Sequence, residues 1–219
     1  MRDTAGTATG LRERKKERTR EALVAAALEL FLRKGYDATT IDEIVAAVEV
    51  SRRTFFRYFA GKEEVALARA IEFEALFLDA LTARPAAEAP LTALRRAGAE
   101  VFARVADEEP DGAGQEFLRM RRMIEDTPVL LAASLRNAME LERRMAAEVA
   151  RREGVEPGDD RRPALSVTLY HAVMRVAMEE WTEAGALDIA DLARTIDDAW
   201  QDMGALLTGR WTAGEIPRP

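Results

Sequence analysis

The chain has 219 residues, a formal net charge of −7, 48% hydrophobic residues and no cysteine. This length allows one large or two small domains with a real core, and the lack of cysteine excludes disulfides and thiolate metal sites. No apolar run reaches the roughly 18 residues that a membrane span needs, and the N-terminus has no signal-peptide core, so we expect a soluble, cytoplasmic protein.

Charge is unevenly distributed along the chain. Residues 1–62 hold 13 Lys+Arg against 9 Asp+Glu, a balance of +4, whereas residues 63–219 hold 19 against 30, a balance of −11. A basic N-terminal segment attached to an acidic remainder indicates that one end is attracted to DNA while the other end is repelled.

The first predicted element is a long helix that follows a short tail. Residues 1–10 are mostly Thr, Gly and Ala with little to bury, so we expect a disordered tail. A helix over 11–34 should end at Gly35. Its first half is basic, which we interpret as a contact with the DNA backbone, with a solvated helix end as the alternative. The basic residues are Arg12, Arg14, Lys15, Lys16, Arg18 and Arg20. A core-facing stripe follows, formed by Leu23, Ala26, Ala27, Leu30 and Phe31.

The next stretch has the spacing of two short helices joined by a turn. Thr40 followed by Glu43 is a capping-box pair, so a helix should begin at Ile41. Ser51 is a favourable N-cap for a second helix over 52–59. Two helices separated by about three residues predict a helix-turn-helix, whose second helix enters the major groove of DNA.

The second of these helices carries arginines on one side and aromatic rings on the other. Phe55 and Phe59 are four residues apart and can pack against the preceding helix, which leaves the arginines outside. The guanidinium forks of Arg52 and Arg53 match the two acceptors of guanine. Lys62 can place a charge and backbone N–H groups beside a phosphate. Arginines at a helix start also occur on solvated surfaces, but the turn, the rings and Lys62 together favour DNA.

The remainder of the chain has helical periodicity and almost no strand signal. Turn residues separate the helices, and the last residues have the character of a loose tail. The predicted helices cover 62–81, 91–105, 115–124, 128–152, 163–184 and 189–207. The predicted fold class is therefore all-α, with about nine helices.

The last two predicted helices indicate assembly. The helix over 163–184 is apolar on two sides, and such a helix must be covered on both. It is either the central helix of a monomeric bundle or, as we favour, it pairs together with 189–207 across a twofold dimer axis. A dimer would present two DNA-reading heads to two half-sites. The candidate interface residues are Leu165, Leu169, Val173, Val176, Ile196, Trp200, Met203 and Leu207.

The region between Phe73 and Trp181 is rich in Phe and Met. Met adapts to irregular cavities but is also ordinary core, and composition alone favours core. His171, the only histidine, is more typical of a structural histidine than of a ligand contact. With one imidazole and no cysteine, a metal site has no support, and Ser-His-Asp catalysis lacks a nucleophile-elbow motif. We therefore expect no catalytic residues, no metal and no enzyme activity.

The motifs described above resemble those of the TetR family of bacterial transcription regulators. SRRTFFRYFAGKEE (51–64) is similar to the recognition helix of that family and the start of its next helix, and ATTIDEIVAAVEVS (38–51) is similar to the part before it. The resemblance covers about residues 11–65. The sequence departs from the family at Glu49, where Gly is usual, and at Phe56, where Tyr is frequent. If Glu49 adopts a left-handed backbone conformation, it costs about 1 kcal/mol relative to Gly.

The resemblance implies a ligand-released repressor that binds a palindromic operator as a homodimer. The dimer would have two states that differ in the distance between its two DNA-binding domains. An effector would act by binding one of these states more tightly than the other. An effector-independent DNA-binding dimer and a helical interaction module without a DNA role are the alternatives. Residues 117–130, FLRMRRMIEDTPVL, further resemble a branch that binds acyl-CoA-like ligands, which implies a hydrophobic small-molecule effector and no other cofactor.

The same resemblance divides the chain and assigns candidate sites. The divisions are a tail at 1–10, a helix-turn-helix domain at 11–61, a helical effector-binding and dimerisation domain at 62–208, and a tail at 209–219. The candidate DNA-binding residues are Thr40, Ser51, Arg52, Arg53, Thr54, Phe56, Arg57, Tyr58 and Lys62. The candidate ligand-pocket residues are Phe77, Phe102, Met120, Met123, His171, Met174 and Met178.

Overall fold

The computed structural model describes residues 4–108, 113–156, 158–185 and 189–210. Ten α-helices form the regular secondary structure of these ranges, which confirms the predicted all-α fold class. The helices are α1 (Thr4–Lys34), α2 (Ile41–Ala47), α3 (Arg52–Phe55), α4 (Lys62–Ala66), α5 (Ala68–Ala83), α6 (Pro90–Glu108), α7 (Ala113–Asp126), α8 (Pro128–Glu153), α9 (Arg162–Glu183) and α10 (Ile189–Leu207).

Helix α1 begins earlier than predicted. Residues 4–10 are helical, so the prediction of a disordered tail is wrong there, while residues 1–3 lie outside the described ranges. Extending an existing helix fixes one residue per hydrogen bond and avoids the cost of nucleation. The helix predicted over 11–34 can therefore continue into the Thr, Gly and Ala residues that precede it. The second predicted tail lies mostly on 211–219, outside the described ranges.

The helix predicted over 62–81 is two helices, which brings the number from nine to ten. Leu67 ends α4 with φ −95° and ψ 1°, outside the helical region. Val65, Ala66, Leu67 and Ala68 are four consecutive residues with almost no exposed surface. Successive residues of a straight helix point in directions about 100° apart, so four in a row surround the axis and cannot share one face. A break at Leu67 is consistent with this uninterrupted burial.

The chain divides into two compact units. One consists of Met1–Phe73 with Arg119–Asn137, and the other of Glu74–Leu118 with Ala138–Pro219. The boundary near residue 62 between the two expected functional domains stays a prediction.

The core of the first unit is built on the apolar stripe of α1. Leu23, Ala27, Leu30 and Phe31 are buried as expected, and Ala26 is half-buried. Residues from α2, α3, the segment after α3, α4 and the start of α8 complete the cluster, among them Ile44, Val45, Phe55, Phe59, Val65, Ala66 and Leu130. Helix α1 ends at Lys34, and Gly35 follows with φ 91°, which confirms Gly35 as its stop.

In the second unit, α6, α9 and α10 pack on one another. Gly98 of α6 allows a close approach to α9, because a Cβ atom built on it would lie 2.5 Å from the hydroxyl oxygen of Tyr170. The Tyr170 ring lies 5.3 Å from the ring of Phe77 and 6.2 Å from that of Trp200, centroid to centroid. Burial raises the pKa of Tyr170, so its hydroxyl is neutral at physiological pH. The three rings, from α5, α9 and α10, form one aromatic cluster.

The predicted capping box at the start of α2 is present. The Thr40 hydroxyl oxygen accepts a hydrogen bond from the Glu43 N–H at 3.3 Å, and the Glu43 carboxylate accepts one from the Thr40 N–H at 2.9 Å. Hydrogen bonds from Lys34 and from Thr40 lower the pKa of Glu43 to about 2. Because this pKa lies below its usual value, the stabilisation is present at neutral pH and is lost as the pH falls towards it.

The turn between α2 and α3 is a Schellman motif with Glu49 in the place that glycine usually takes. The Val50 N–H donates to the Val45 carbonyl oxygen at 3.0 Å, and the Glu49 N–H donates to that of Ala46 at 3.2 Å. Glu49 has φ 54°, the one positive φ of a non-glycine residue in the described ranges. Its side chain is exposed, so the strain is confined to the backbone.

Replacing Glu49 with Gly should raise the free energy of unfolding by about 1 kcal/mol, because glycine adopts this backbone conformation without the Cβ clash. Urea unfolding followed by circular dichroism measures the change. Glu49→Ala is the matched control, since it removes the same carboxylate but keeps Cβ, and it should change stability by less than about 0.5 kcal/mol. An equal gain in both variants would show that the carboxylate, and not the backbone, is responsible.

Candidate nucleic-acid interface

Helix α3 is held in place by two buried rings. Phe55 and Phe59 are 0% and 2% exposed, and their ring centroids lie 5.6 Å apart. The helix is shorter than the predicted 52–59, since it ends at Phe55 and continues as a turn. In that turn the Tyr58 N–H donates to the Phe55 carbonyl oxygen at 2.9 Å, a spacing of three residues and tighter than an α-helix. The tighter turn still places both rings in the core.

The N-cap of α3 confirms the role predicted for Ser51. Its hydroxyl oxygen accepts a hydrogen bond from the Thr54 N–H at 3.1 Å, and the two hydroxyl oxygens lie 2.9 Å apart. The hydroxyl groups of Ser51 and Thr54 therefore hold the local backbone, and their contact with DNA stays a prediction.

Three arginines lie on the exposed side of this segment with different surroundings. Arg52 donates from Nη1 to Oδ2 of Asp42 at 3.3 Å. The Arg57 guanidinium donates to the Tyr58 hydroxyl at 3.0 Å and lies over its ring, 4.9 Å from the centroid. Arg53 is exposed, and its side chain makes no hydrogen bond or ion pair within the described part of the chain. The segment thus presents one guanidinium held by a carboxylate, one stacked on a ring and one unrestrained.

Phe56 lies on the same exposed side. Its side chain is 49% exposed and meets the buried Phe55 ring edge-on, with 5.5 Å between centroids. An exposed ring that is braced by a buried one can offer apolar contact, for instance to a thymine methyl group.

Lys62 has a structural task that its sequence position does not reveal. Its ammonium group donates to the carbonyl oxygens of Tyr36 and Thr39 at 2.8 and 2.9 Å, and it lies 4.2 Å from the centroid of the Tyr36 ring. Two of the three ammonium N–H donors are therefore occupied. Glu64 accepts a hydrogen bond from the Ala60 N–H at 2.5 Å, which places a carboxylate at the start of α4. A phosphate contact through Lys62 stays a prediction.

The basic half of α1 is mostly solvent-facing. Arg14, Lys15, Lys16 and Arg18 are exposed, and the side chain of Arg12 lies outside the described residues. Arg20 differs, because it is half-buried, pairs with Glu72 of α5 and lies 5.5 Å from the centroid of the Phe59 ring. The interpretation of Arg20 as a backbone-contacting arm is corrected, since its guanidinium links α1, α5 and the segment after α3 within the first unit.

Comparison with known proteins identifies the family. Residues 23–68 match "Bacterial regulatory proteins, tetR family", and residues 88–208 match "MftR C-terminal domain". The HTH-type transcriptional regulator TcmR of Streptomyces glaucescens is 45% identical over 203 residues, which cover 92% of this chain and 90% of TcmR. The chain belongs to the TetR family. It is a DNA-binding transcriptional regulator with a C-terminal helical domain and not an enzyme.

Solved structures show the same fold at low identity. SmeT, the repressor of the Stenotrophomonas maltophilia multidrug efflux pump SmeDEF, has been solved with triclosan; that structure has a TM-score of 0.60 at 22% identity and covers 92% of this chain and 98% of its own. A transcriptional regulator from Aquifex aeolicus has a TM-score of 0.54 at 15% identity and covers 84% of this chain and 99% of its own. At these identities the likeness shows the fold alone.

The candidate pocket residues of this TetR-family chain fall into separate groups. Met120 and Met123 pack on the core of the first unit. Phe102 and Met178 pack against the cluster of Leu118, Trp181 and Leu192 in the second unit. The remaining three are Phe77, His171 and Met174. Phe77 packs on Tyr170, and Met174 is half-buried.

His171 contacts the carboxylate of Glu142, with 3.1 Å between Nδ1 and Oε1. Burial lowers the pKa of His171, and Glu142 only partly offsets this, so the imidazole is neutral at physiological pH. This contact is the arrangement expected of a structural histidine. Among the described residues, no group of three or more His, Cys, Asp or Glu is placed to hold a metal ion.

The candidate dimer residues divide between the surface and the interior of the second unit. Leu165, Val176 and Leu207 are 51%, 47% and 62% exposed. The residues that turn inward or are partly covered are Leu169, Val173, Ile196, Trp200 and Met203. Val173 is buried, and Ile196 packs against the cluster that contains Trp181. Only part of the predicted face is therefore open, and Leu206 of α10 is a further apolar residue on the surface, at 53% exposure.

Two acidic residues that hold arginines of the first unit escaped the sequence interpretation. Asp42 and Glu72 are each paired with an arginine far away in sequence, Arg52 and Arg20 respectively. Asp42 lies in the first turn of α2, where acidic residues are common because of the helix dipole, and Glu72 lies within α5, so neither position carries a signal of such a pair.

The helices of the described ranges include none with the length and hydrophobicity of a membrane span.

Proposed function

We propose that this TetR-family regulator is a repressor that binds a palindromic operator as a homodimer and releases it when a small hydrophobic effector binds. The proposal combines three parts: a DNA-reading segment at α3, a dimer formed through α9 and α10, and an effector site in the C-terminal domain.

The DNA-reading part rests on one observation above all. Phe55 and Phe59 are buried on one side of the segment that follows the turn, while Arg52, Arg53 and Arg57 are exposed on the other. In a helix-turn-helix the first residues of the second helix meet base edges. We assign base reading to Arg52 and Arg53, whose forks match guanine.

Contacts with the DNA backbone complete this part of the proposal. Positioning on phosphates falls to the remaining candidate residues, because hydrogen bonds and charges directed to phosphate fix the register without reading sequence. These residues are Thr40, Ser51, Thr54, Arg57, Tyr58 and Lys62, together with the exposed basic residues in the first half of α1, while Phe56 offers an apolar contact instead.

Replacing Arg52 and Arg53 together with Ala should remove most of the preference for the operator over a scrambled duplex, since each good base contact contributes about 1–3 kcal/mol of discrimination. Fluorescence anisotropy, repeated at several salt concentrations, measures both affinities and the number of phosphates neutralised. The control is Arg33→Ala with Arg95→Ala, which removes two exposed arginines elsewhere and should leave the preference intact. An unchanged preference in the Arg52 and Arg53 variant would reject α3 as the reading helix.

The dimer part is supported by apolar surface on the last two helices. Leu165 and Val176 of α9 and Leu206 and Leu207 of α10 are all about half exposed or more. Scattered apolar side chains are normal on a surface, but four on two mutually packed helices favour a covered face. The occupant we propose is the same face of a second copy, as a twofold interface requires.

Val176→Glu should weaken the dimer about 100-fold or more, because an unpaired carboxylate would be buried at the interface in both copies. Sedimentation velocity over a range of concentrations measures the shift from dimer to monomer. Val129→Glu on α8 is the matched control, since it is the same substitution at 44% exposure and should leave the dimer intact. A dimer of unaltered affinity in the Val176 variant would place the interface elsewhere.

The effector part is supported by the C-terminal domain match over 88–208 and by the resemblance of 117–130 to regulators that bind acyl-CoA-like ligands. Arg119, Arg121 and Arg122 could meet a phosphate or carboxylate of such a ligand. Arg121, however, donates to the Glu125 carboxylate at 2.7 Å, so that pair would have to open. The candidate pocket residues of the second unit are Phe77, Phe102, His171, Met174 and Met178.

Palmitoyl-CoA added to the protein–operator complex should release the DNA, because an effector that prefers the free form lowers operator affinity by its differential binding. A mobility-shift titration measures the release. Free coenzyme A and palmitate are the matched controls for the two halves of the probe. No release at saturating palmitoyl-CoA, with binding to the protein verified by calorimetry, would reject this effector class and favour effector-independent binding.

A further inference from the structure

Asp42 makes a contact with Arg52 that is no part of the cap of α2 and contributes little to stability. It is the second residue of α2, and its carboxylate accepts a hydrogen bond from Arg52 across the turn, with 3.3 Å between Oδ2 and Nη1. The box at the start of α2 is formed by Thr40 and Glu43, without Asp42. Both partners of the Asp42–Arg52 pair are more than half exposed, and pairs this exposed contribute little to stability.

From this contact we infer that Asp42 is a positioning residue for operator specificity: it holds Arg52 in a conformation suited to a base edge and weakens its attraction to phosphates. The inference rests on the proposed base-reading role of Arg52.

The contact with Asp42 reduces the conformational freedom of the Arg52 side chain. An unrestrained arginine side chain has many rotamers, and fixing them opposes binding. The contact with Asp42 uses Nη1, one corner of the guanidinium, and an arginine carries five N–H donors in a fixed fork. Donors therefore remain for the two acceptors of a guanine while the side chain is already directed.

The Asp42 carboxylate also lowers the net positive charge beside Arg52. A carboxylate beside a guanidinium lowers the local positive potential, and binding to DNA of any sequence is driven by that potential. The acceptors of a base edge are uncharged atoms, so hydrogen bonding to them is less affected than attraction to a phosphate. Arg53 supplies the contrast within the same helix turn, because it makes no side-chain hydrogen bond or ion pair in the described part of the chain. Asp42 should thus act on one arginine and not on its neighbour.

The experiment compares two duplexes of equal length: one selected by the wild-type protein from a randomised DNA pool and its scrambled version. Asp42→Asn should lower the affinity for the selected duplex about tenfold, within the range of one base contact. It should raise the affinity for the scrambled duplex by roughly threefold, the size expected for one exposed charge. Asp37→Asn, which removes an exposed carboxylate from the turn before α2, is the charge-matched control and should leave the ratio of the two affinities unchanged.

Combined substitutions separate positioning from a general loss of structure. In an Arg52→Ala background, Asp42→Asn should no longer alter the ratio, whereas in an Arg53→Ala background its effect should persist. If Asp42→Asn lowers the unfolding midpoint, Asp42→Ser takes its place, since Ser is well tolerated at a helix start.

The possible failures are distinguishable. If Arg52→Ala alone leaves the ratio unchanged, the base-reading role of Arg52 is wrong. If Arg52→Ala lowers the ratio but Asp42→Asn does not, or if Asp42→Asn has the same effect without Arg52, the positioning role of Asp42 is overturned.

Discussion

Burial of Phe55 and Phe59 is the interaction on which the DNA-reading surface depends. Helix α3 has only four residues, far below the length at which an isolated helix is stable in water. The two rings, 5.6 Å apart in the core of the first unit, anchor the segment and determine which side of it faces solvent. The arginines are exposed because burial of Phe55 and Phe59 turns the opposite side of the segment towards the core.

Local devices at both ends of the turn support this anchor. The Schellman bonds of Val50 and Glu49 end α2, and the Ser51 hydroxyl begins α3. The turn holds a strained Glu49 at φ 54°, and such strain persists only where the surrounding structure compensates for it. Here the compensation comes from the same core, because Val45 is buried in it and Val50 packs against it.

Positive charge is not used uniformly in this unit. Arg20 pairs with Glu72, Lys62 binds two carbonyl oxygens, and Arg52 contacts Asp42. The number of basic residues in a sequence segment is therefore only an upper bound on the number of positive charges available to DNA. Some of its members fix the geometry of the others, and a salt-dependence measurement would count only those that neutralise phosphates.

Signals that depend on neighbouring residues were predictable from the sequence alone. The Thr40–Glu43 box, the Ser51 cap, the Gly35 stop and the apolar stripe of α1 all depend on spacings of one to eight residues along a helix, and all are present. The strained turn residue was also foreseeable, since Glu49 stands where a left-handed conformation is usual. The family itself was recognisable for the same reason, because its DNA-binding motif is a run of such local signals.

The tertiary structure decided what each charged or apolar side chain meets. Arg20 and Glu72 are 52 residues apart, and Lys62 is 26 residues from Tyr36, so no periodicity links them. The break at Leu67, the early end of α3 and the inward packing of Val173 likewise follow from which surfaces the neighbouring helices cover. A helix pattern specifies which residues share a face, but the partner of that face is determined only when the helices pack.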